Sequence, residues 1–198
     1  ENIAARLLKI PTINNISGLG TIFIKNSLAT YIGKFLYKLS LASSTHLFFQ
    51  NKDDQQLFTK NKLINSKISS IIPGSGVNVE KFHCDRITNS GSKFLFVGRL
   101  LSDKGVFEYL DAAVSVLKTH PNKEFLLVGE MGSNNLTALS SNQLKNYTEK
   151  YPQIKYLGKT DDIVTLLNSV DVMVLPSYRE GLSKSLIEAA SMKLPIIT

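Results

Sequence analysis

A single cysteine, Cys84, stands among 198 residues, so no disulfide can form within the chain. A reducing cytosol suits it better than a disulfide-stapled secreted fold. Long apolar runs are missing too. The most apolar region, Thr21 to Phe49, is broken by Lys25, Lys34 and Lys38. Nothing reaches the roughly 18 uncharged apolar residues of a spanning helix. The first residues show no basic stretch leading into an apolar run and no small-residue cleavage site, so no signal peptide is expected. Histidine is scarce: His46, His83 and His120 are scattered singly, and no cluster has metal-ligand spacing. They read as a strand residue, a linker residue and a helix end. There is no short internal repeat and no low-complexity tract.

Acidic residues are thin in the first half. Residues 1–91 hold eleven Lys/Arg against five Asp/Glu, a balance of +6, whereas residues 92–198 hold twelve against eleven. That asymmetry suits an anionic partner such as a phospholipid surface, a lipid diphosphate or nucleic acid, or else only a solvated basic face. Nucleic-acid binding would require aromatics interleaved with the cations on one surface. The aromatics fall instead inside apolar runs, so no nucleic-acid partner is expected.

What is present is an alternation of apolar runs. Lys93 to Val97 ends at Gly98, Phe125 to Val128 at Gly129, and Ile154 to Leu157 at Gly158. Each reads as a buried strand. Val172 to Leu175 and Pro195 to Ile197 complete a set of five. Helices are predicted from Val106 to Leu117, Leu136 to Lys150, Ile163 to Leu167 and Ser185 to Met192, with Asp161 or Thr160 capping the third. Strands alternating with helices imply a parallel sheet. The first half repeats the scheme: strands at Thr12–Ile16, Thr45–Phe49 and Lys67–Ile72, a helix from Leu28 to Ala42, and a helix opened by an Asp53–Gln56 capping box. The glycine-bearing stretch from Pro73 through Ser92 reads as a linker. The last strand lacks a covering helix after it, which suggests a fragment.

Two segments carry the chemistry. Gly98-Arg99-Leu100-Leu101-Ser102-Asp103-Lys104-Gly105 lies between a parallel strand and the next helix. There glycines permit close backbone approach, a helix N-terminus offers N–H groups to an anion, and Arg99 and Lys104 suit a diphosphate. An ordinary strand-to-helix turn with exposed charges is the plainer alternative. Ser177 to Glu188 lies at another strand end, with Glu180 and Glu188 separated by seven residues. With a helix starting near Ser183, both carboxylates could address one ligand. Equally, Ser185-Leu186-Ile187-Glu188 matches a capping box, which accounts for Glu188 without any ligand. Asp161, Asp162 and Asp171 read as caps or turn residues rather than catalytic acids.

Together with Gly158 and Asp161-Asp162-Ile163, these segments resemble the C-terminal domain of retaining GT-B glycosyltransferases, glycosyltransferase family four. Asn14-Asn15-Ile16-Ser17-Gly18-Leu19-Gly20, Phe48-Phe49-Gln50-Asn51-Lys52-Asp53-Asp54 and Pro73-Gly74-Ser75-Gly76-Val77 extend the likeness to bacterial members that build capsule, O-antigen or other lipid-linked glycans. The resemblance implies two Rossmann-like parallel-sheet domains, both incomplete in this chain. Residues 1–78 would be the C-terminal part of an acceptor-side domain, 79–92 a linker, and 93–198 a nucleotide-sugar-binding domain cut at its C-terminus. It further implies transfer of a hexosyl or N-acetylhexosaminyl group, with retention, from a nucleotide-diphosphate sugar, UDP above all. The acceptor would be a glycan or polyprenyl-diphosphate-linked glycan, at the inner face of the plasma membrane.

Carried over by motif, Gly98, Arg99 and Lys104 would hold the diphosphate and Glu188 the ribose. Glu180, with Gly181, Leu182 and Ser183, would face the sugar, and Leu157 and Gly158 would border the base. Arg99, Lys104 and Glu180 would be the catalytic residues. No metal or other cofactor is implied, since the two cations can balance the leaving diphosphate. A non-catalytic nucleotide-sugar-binding partner with the same fold is the rival reading.

Overall fold

The computed structural model describes residues 1–19, 23, 28–74, 76–84, 91–131 and 137–198. Gly20, Lys25, Ser75, Leu136 and residues 85–90 of the expected linker lie outside the described residues. The chain forms two compact units, Glu1–Ser75 with Arg179–Leu182, and Gly76–Tyr178 with Ser183–Thr198. Each has its own sheet and its own core.

In the first unit, β1 (Thr12–Ile16), β2 (Ser44–Phe49) and β3 (Ser69–Ile71) form a parallel sheet in the order β1-β2-β3. The helix α1 (Asn2–Leu7), which the sequence reading did not anticipate, precedes β1. Helices α2 (Leu28–Leu41) and α3 (Lys52–Lys60) make the crossovers. Leu47, Phe49 and Phe58 are fully buried, and Phe58 meets Phe49 and Tyr37 edge-on at 5.3 and 5.1 Å. The expected Asp53–Gln56 capping box does not open α3. The cap is Asn51, whose Oδ1 accepts the Asp54 N–H at 2.7 Å. Asp53 and Asp54 then occupy the first turn, where the helix dipole favours anions. A 3-10 turn at Ser66–Ile68 shortens the third strand relative to the expected one.

In the second unit, β4 (Lys93–Val97), β5 (Glu124–Val128), β6 (Ile154–Tyr156), β7 (Val172–Val174) and β8 (Ile196–Ile197) form a parallel sheet in the order β6-β5-β4-β7-β8. Phe125 through Val128 are all buried, as expected of an inner parallel strand covered on both faces. Helix α4 (Val106–Thr119) buries Val106, Tyr109, Leu110, Ala113 and Leu117 at helical spacing. The Tyr109 hydroxyl donates to the carbonyls of Phe94 and Leu126, and burial pushes its pKa well up. Phe82, from the expected linker, is buried in this core, and its carbonyl accepts from Ser191 Oγ at 2.6 Å.

Helix α5 (Ser141–Lys150) starts later than its sequence suggests, at a Ser140–Gln143 capping box. The preceding Ala138 is bridged antiparallel to Leu101 instead of continuing the helix. Helix α6 (Ile163–Asn168) is capped by Asp162 in place of the expected Asp161 or Thr160; its Oδ1 accepts the Thr165 N–H at 3.0 Å, and hydrogen bonds from the Thr165 side chain and N–H lower the Asp162 pKa. Asp171 Oδ2 accepts the N–H groups of Ser92 and Lys93, anchoring the start of β4. The last helix is α7 (Lys184–Ser191).

Candidate functional site

Strand order locates a crevice. From β4 the chain steps outward to β5 and β6, then β7 returns to the other side of β4. Reversal of winding direction leaves the loops after β4 and β7 diverging at the carboxyl edge, where open α/β sheets bind their ligands. Those two loops are Gly98–Gly105 and the residues after Val174, the segments singled out by residue type.

The loops are held together by backbone geometry that only glycine permits. Gly105 sits at φ +75°, and a Cβ there would lie 2.0 Å from the Pro176 carbonyl oxygen. Gly129, at φ +146°, would place a Cβ 1.8 Å from the Gly98 carbonyl oxygen. The Asp103 carbonyl accepts from the Tyr178 N–H and from Ser177 Oγ, both at 3.1 Å. The Tyr178 hydroxyl donates to Glu108 at 2.5 Å, and that bond raises the phenol's pKa. The contacts that join Asp103 to Ser177 and Tyr178, and Tyr178 to Glu108, leave no local pattern in the sequence, because they run through a backbone carbonyl or across seventy residues. Arg99 is exposed on this edge, and half-buried Lys104 closes the 3-10 turn Ser102–Lys104 just before α4 begins. The first turn of α4, whose N–H groups have no carbonyl partner within the helix, therefore follows directly on Lys104.

Helix α7 enters the same edge. Ser185 Oγ reaches the Val97 carbonyl at 3.4 Å, which sets the first turn of α7 beside the end of β4. Ser183 is the N-cap but makes no side-chain cap hydrogen bond. Its hydroxyl lies 3.1 Å from that of Ser185. The capping-box account of Glu188 therefore fails: Ser185 is already helical, and Glu188 is the fifth residue of α7. Glu188 is 7% exposed and pairs with Lys184 Nζ at 3.7 Å, beyond hydrogen-bond length, and Lys184 is itself exposed. A nearly buried carboxylate with so distant a counter-charge is costly unless something else meets it.

Leu157 and Gly158 follow β6, at the same edge but two strands away from β4, a lateral distance of about 10 Å. Leu157 is half exposed, and Gly158 adopts φ +73° with open space where a Cβ would stand. Glu180, Gly181 and Leu182 belong to the first unit. There the Glu180 carbonyl accepts from Asn51 Nδ2 at 3.2 Å, and the Leu182 N–H donates to Gln50 Oε1 at 3.3 Å. The second unit thus brings Gly98, Arg99, Lys104, Ser183 and Glu188 to one edge of adjacent strands, with Leu157 and Gly158 farther along it. Among the described residues no group of three His, Cys, Asp or Glu converges as metal ligands. His46 bonds Ser70 Oγ at 2.9 Å and His120 bonds Thr119 Oγ1 at 2.8 Å.

A parallel α/β sheet with its crevice at the winding reversal and cations at a helix N-terminus defines a class of anion-binding Rossmann-like proteins. Comparison with known proteins narrows it. The profile of the family described as glycosyl transferases group 1 matches residues 91–198, and the chain belongs to that family. It is 30% identical, over 98% of its length and 54% of the relative's, to the N,N'-diacetylbacillosaminyl-diphospho-undecaprenol alpha-1,3-N-acetylgalactosaminyltransferase of Campylobacter jejuni. It is 28% identical, over 98% of its length and 53% of the relative's, to the UDP-Gal:alpha-D-GlcNAc-diphosphoundecaprenol alpha-1,3-galactosyltransferase of Escherichia coli. The chain thus spans about half the length of the curated relatives it matches. Among solved structures, Anabaena HepE in complex with UDP superposes with a TM-score of 0.75 at 16% identity, covering 98% of this chain and 55% of that one. The fold is that of the GT-B glycosyltransferases.

Proposed function

We propose that the full-length protein transfers a hexosyl or N-acetylhexosaminyl group, with retention, from a UDP-sugar to a glycan or polyprenyl-diphosphate-linked acceptor in bacterial surface-polysaccharide assembly. The observation that carries this reading is the winding reversal between β4 and β7, which falls on the loops bearing Arg99, Lys104 and the start of α7. The names of the two relatives, both acting on diphospho-undecaprenol-linked sugars and one on UDP-Gal, support it. Residues 93–198 then bind the donor and residues 1–78 face the acceptor.

In this mechanism the bond between the anomeric carbon and the phosphate oxygen breaks, an acceptor hydroxyl oxygen bonds to the same face of that carbon, and the departing diphosphate gathers negative charge and takes up the hydroxyl's proton. Arg99 and Lys104, each about 4 Å from it, would contribute up to about 4 kcal/mol apiece at an effective dielectric near 20. The N-termini of α4 and α7 add oriented N–H donors. Glu188 accepts from the ribose hydroxyls, Glu180 faces the sugar, and Leu157 and Gly158 border the base. With the charge balanced by side chains, transfer proceeds without a divalent metal.

The test is a UDP-sugar panel offered to full-length protein with membrane extract as acceptor source. Turnover should persist in EDTA; loss in EDTA with restoration by Mg²⁺ or Mn²⁺ contradicts the metal-free account. In the same protein Glu188→Gln should weaken nucleotide binding about five- to 150-fold, because the amide keeps one acceptor but loses the charge-assisted bond. An unchanged affinity would leave Glu188 as only an i, i+4 partner of Lys184.

Membrane association belongs to the same proposal. No helix among the described residues is long and apolar enough to cross a membrane. Helix α2, however, exposes Leu28, Tyr31, Ile32, Phe35, Leu36 and Leu39 along one stripe, contains no acidic residue, and carries Lys34 and Lys38 beside the stripe. Such a face lies in an anionic lipid interface, with lysine stems snorkelling to the headgroups. Binding of full-length protein to anionic vesicles should fall as salt rises, and Lys34→Ala with Lys38→Ala should weaken it about 30-fold. Binding that survives both changes rules the electrostatic account out.

A further inference from the structure

We propose that Asn51, with Gln50, Asp54 and Arg179, is a positioning device for Glu180, a role that rests on the sugar-facing assignment of Glu180 made above. All these residues belong to the first unit, where the tetrapeptide Arg179–Leu182 sits on the carboxyl ends of its strands. The residue after β1 supplies the floor: a Cβ on Gly181 would lie 2.0 Å from the Ser17 carbonyl oxygen and 2.9 Å from Gln50 Oε1, so only glycine fits. The residues after β2 supply the polar grip through Gln50 and Asn51. The loop after β3 supplies Gly74, at φ +64°, packed so tightly against Leu182 that a Cβ would overlap that side chain.

Within the grip both Nδ2 hydrogens of Asn51 are used, and its Oδ1 accepts one bond. Oδ1 accepts the Asp54 N–H at 2.7 Å. One Nδ2 hydrogen goes to Asp54 Oδ2 and the other to the Glu180 carbonyl, each at 3.2 Å. Turning the amide over would oppose its oxygen to a carboxylate and a carbonyl, so the network fixes its orientation. Asp54 is almost wholly buried and receives Arg179 through Nη2 at 2.5 Å and Nε at 3.1 Å. The backbone on both sides of Glu180 is thereby tied, at Arg179 by a buried ion pair and at Leu182 by Gln50, while the carbonyl of Glu180 itself is held by Asn51. A helix cap alone would need only the Oδ1 bond; the two donors on Nδ2 have no part in capping.

The variant is Asn51→Ser, in which a hydroxyl keeps the cap and both Nδ2 donors are lost. In full-length protein turnover should fall about 5- to 30-fold, with UDP affinity within about twofold of wild type. The deciding readout is a double-mutant cycle with Glu180→Ala: once Glu180 is truncated, Asn51→Ser should cost nothing more. If it costs the same factor in both backgrounds while Glu180→Ala alone is impaired, the positioning role is overturned and the transfer reading stands. If Glu180→Ala alone turns over normally, the sugar-facing assignment falls and takes this inference with it. Should Asn51→Ser not fold, Gln50→Ala, which leaves the helix cap intact, is carried through the same cycle under the same criterion.

Discussion

Full-length protein carrying Gly105→Val should lose about 2–4 kcal/mol of stability in chemical denaturation and bind nucleotide about tenfold more weakly or worse. Left-handed backbone at φ +75° disfavours any side chain and is worst for a β-branched one. Here the added Cβ would also meet a backbone carbonyl, that of Pro176, at 2.0 Å, and a carbonyl cannot rotate away as a side chain can. The loop Gly98–Gly105 must shift, breaking the bonds from Tyr178 and Ser177 to the Asp103 carbonyl and carrying Lys104 with it. Stability equal to wild type would mean that the two loops are not locked in this way.

Glu180→Ala should cut turnover about 100-fold while leaving nucleotide affinity within about twofold. As the bond to phosphate breaks, the anomeric centre gains positive character, and a carboxylate facing it stabilises that state more than the ground state. Glu180 and its backbone contacts belong to the first unit and Arg99 and Lys104 to the second, so with Glu180 assigned to the sugar the loss should fall on kcat rather than on nucleotide binding. Loss of affinity in step with turnover would place Glu180 on the nucleotide instead.

The difference between those two expectations reflects what the sequence exposes. Strands such as Lys93–Val97 and Phe125–Val128 were legible because an apolar run ended by glycine has few other solutions in a parallel sheet. The positions of the loops that carry Arg99, Lys104 and the start of α7 were legible for the same reason, as the residues that follow such runs. Strand order was not. The return of β7 to the far side of β4 depends on which sheet edge packs better, and no local residue records it.

Caps were misread because serine, asparagine and aspartate compete within three residues. At α3, Asn51 wins over Asp53 by also reaching Asp54 and Glu180. At α7, Ser185 lies inside the helix, with its hydroxyl near Ser183 and the Val97 carbonyl, leaving Glu188 without a capping role. The Asp54–Arg179 pair was invisible for a simpler reason. Its members are 125 residues apart, and each alone reads as a helix-turn acid and a loop cation.

The central claim is that the carboxyl edge of β4 and β7 holds a nucleoside diphosphate through Arg99 and Lys104. Calorimetric titration of UDP into full-length wild type and into the double variant Arg99→Ala, Lys104→Ala tests it most directly. Each charge-assisted bond is worth about 1.5–3 kcal/mol, so the dissociation constant should rise about 100-fold or more with the thermal midpoint preserved. An unchanged dissociation constant in a folded double variant would place the nucleotide elsewhere and contradict the account.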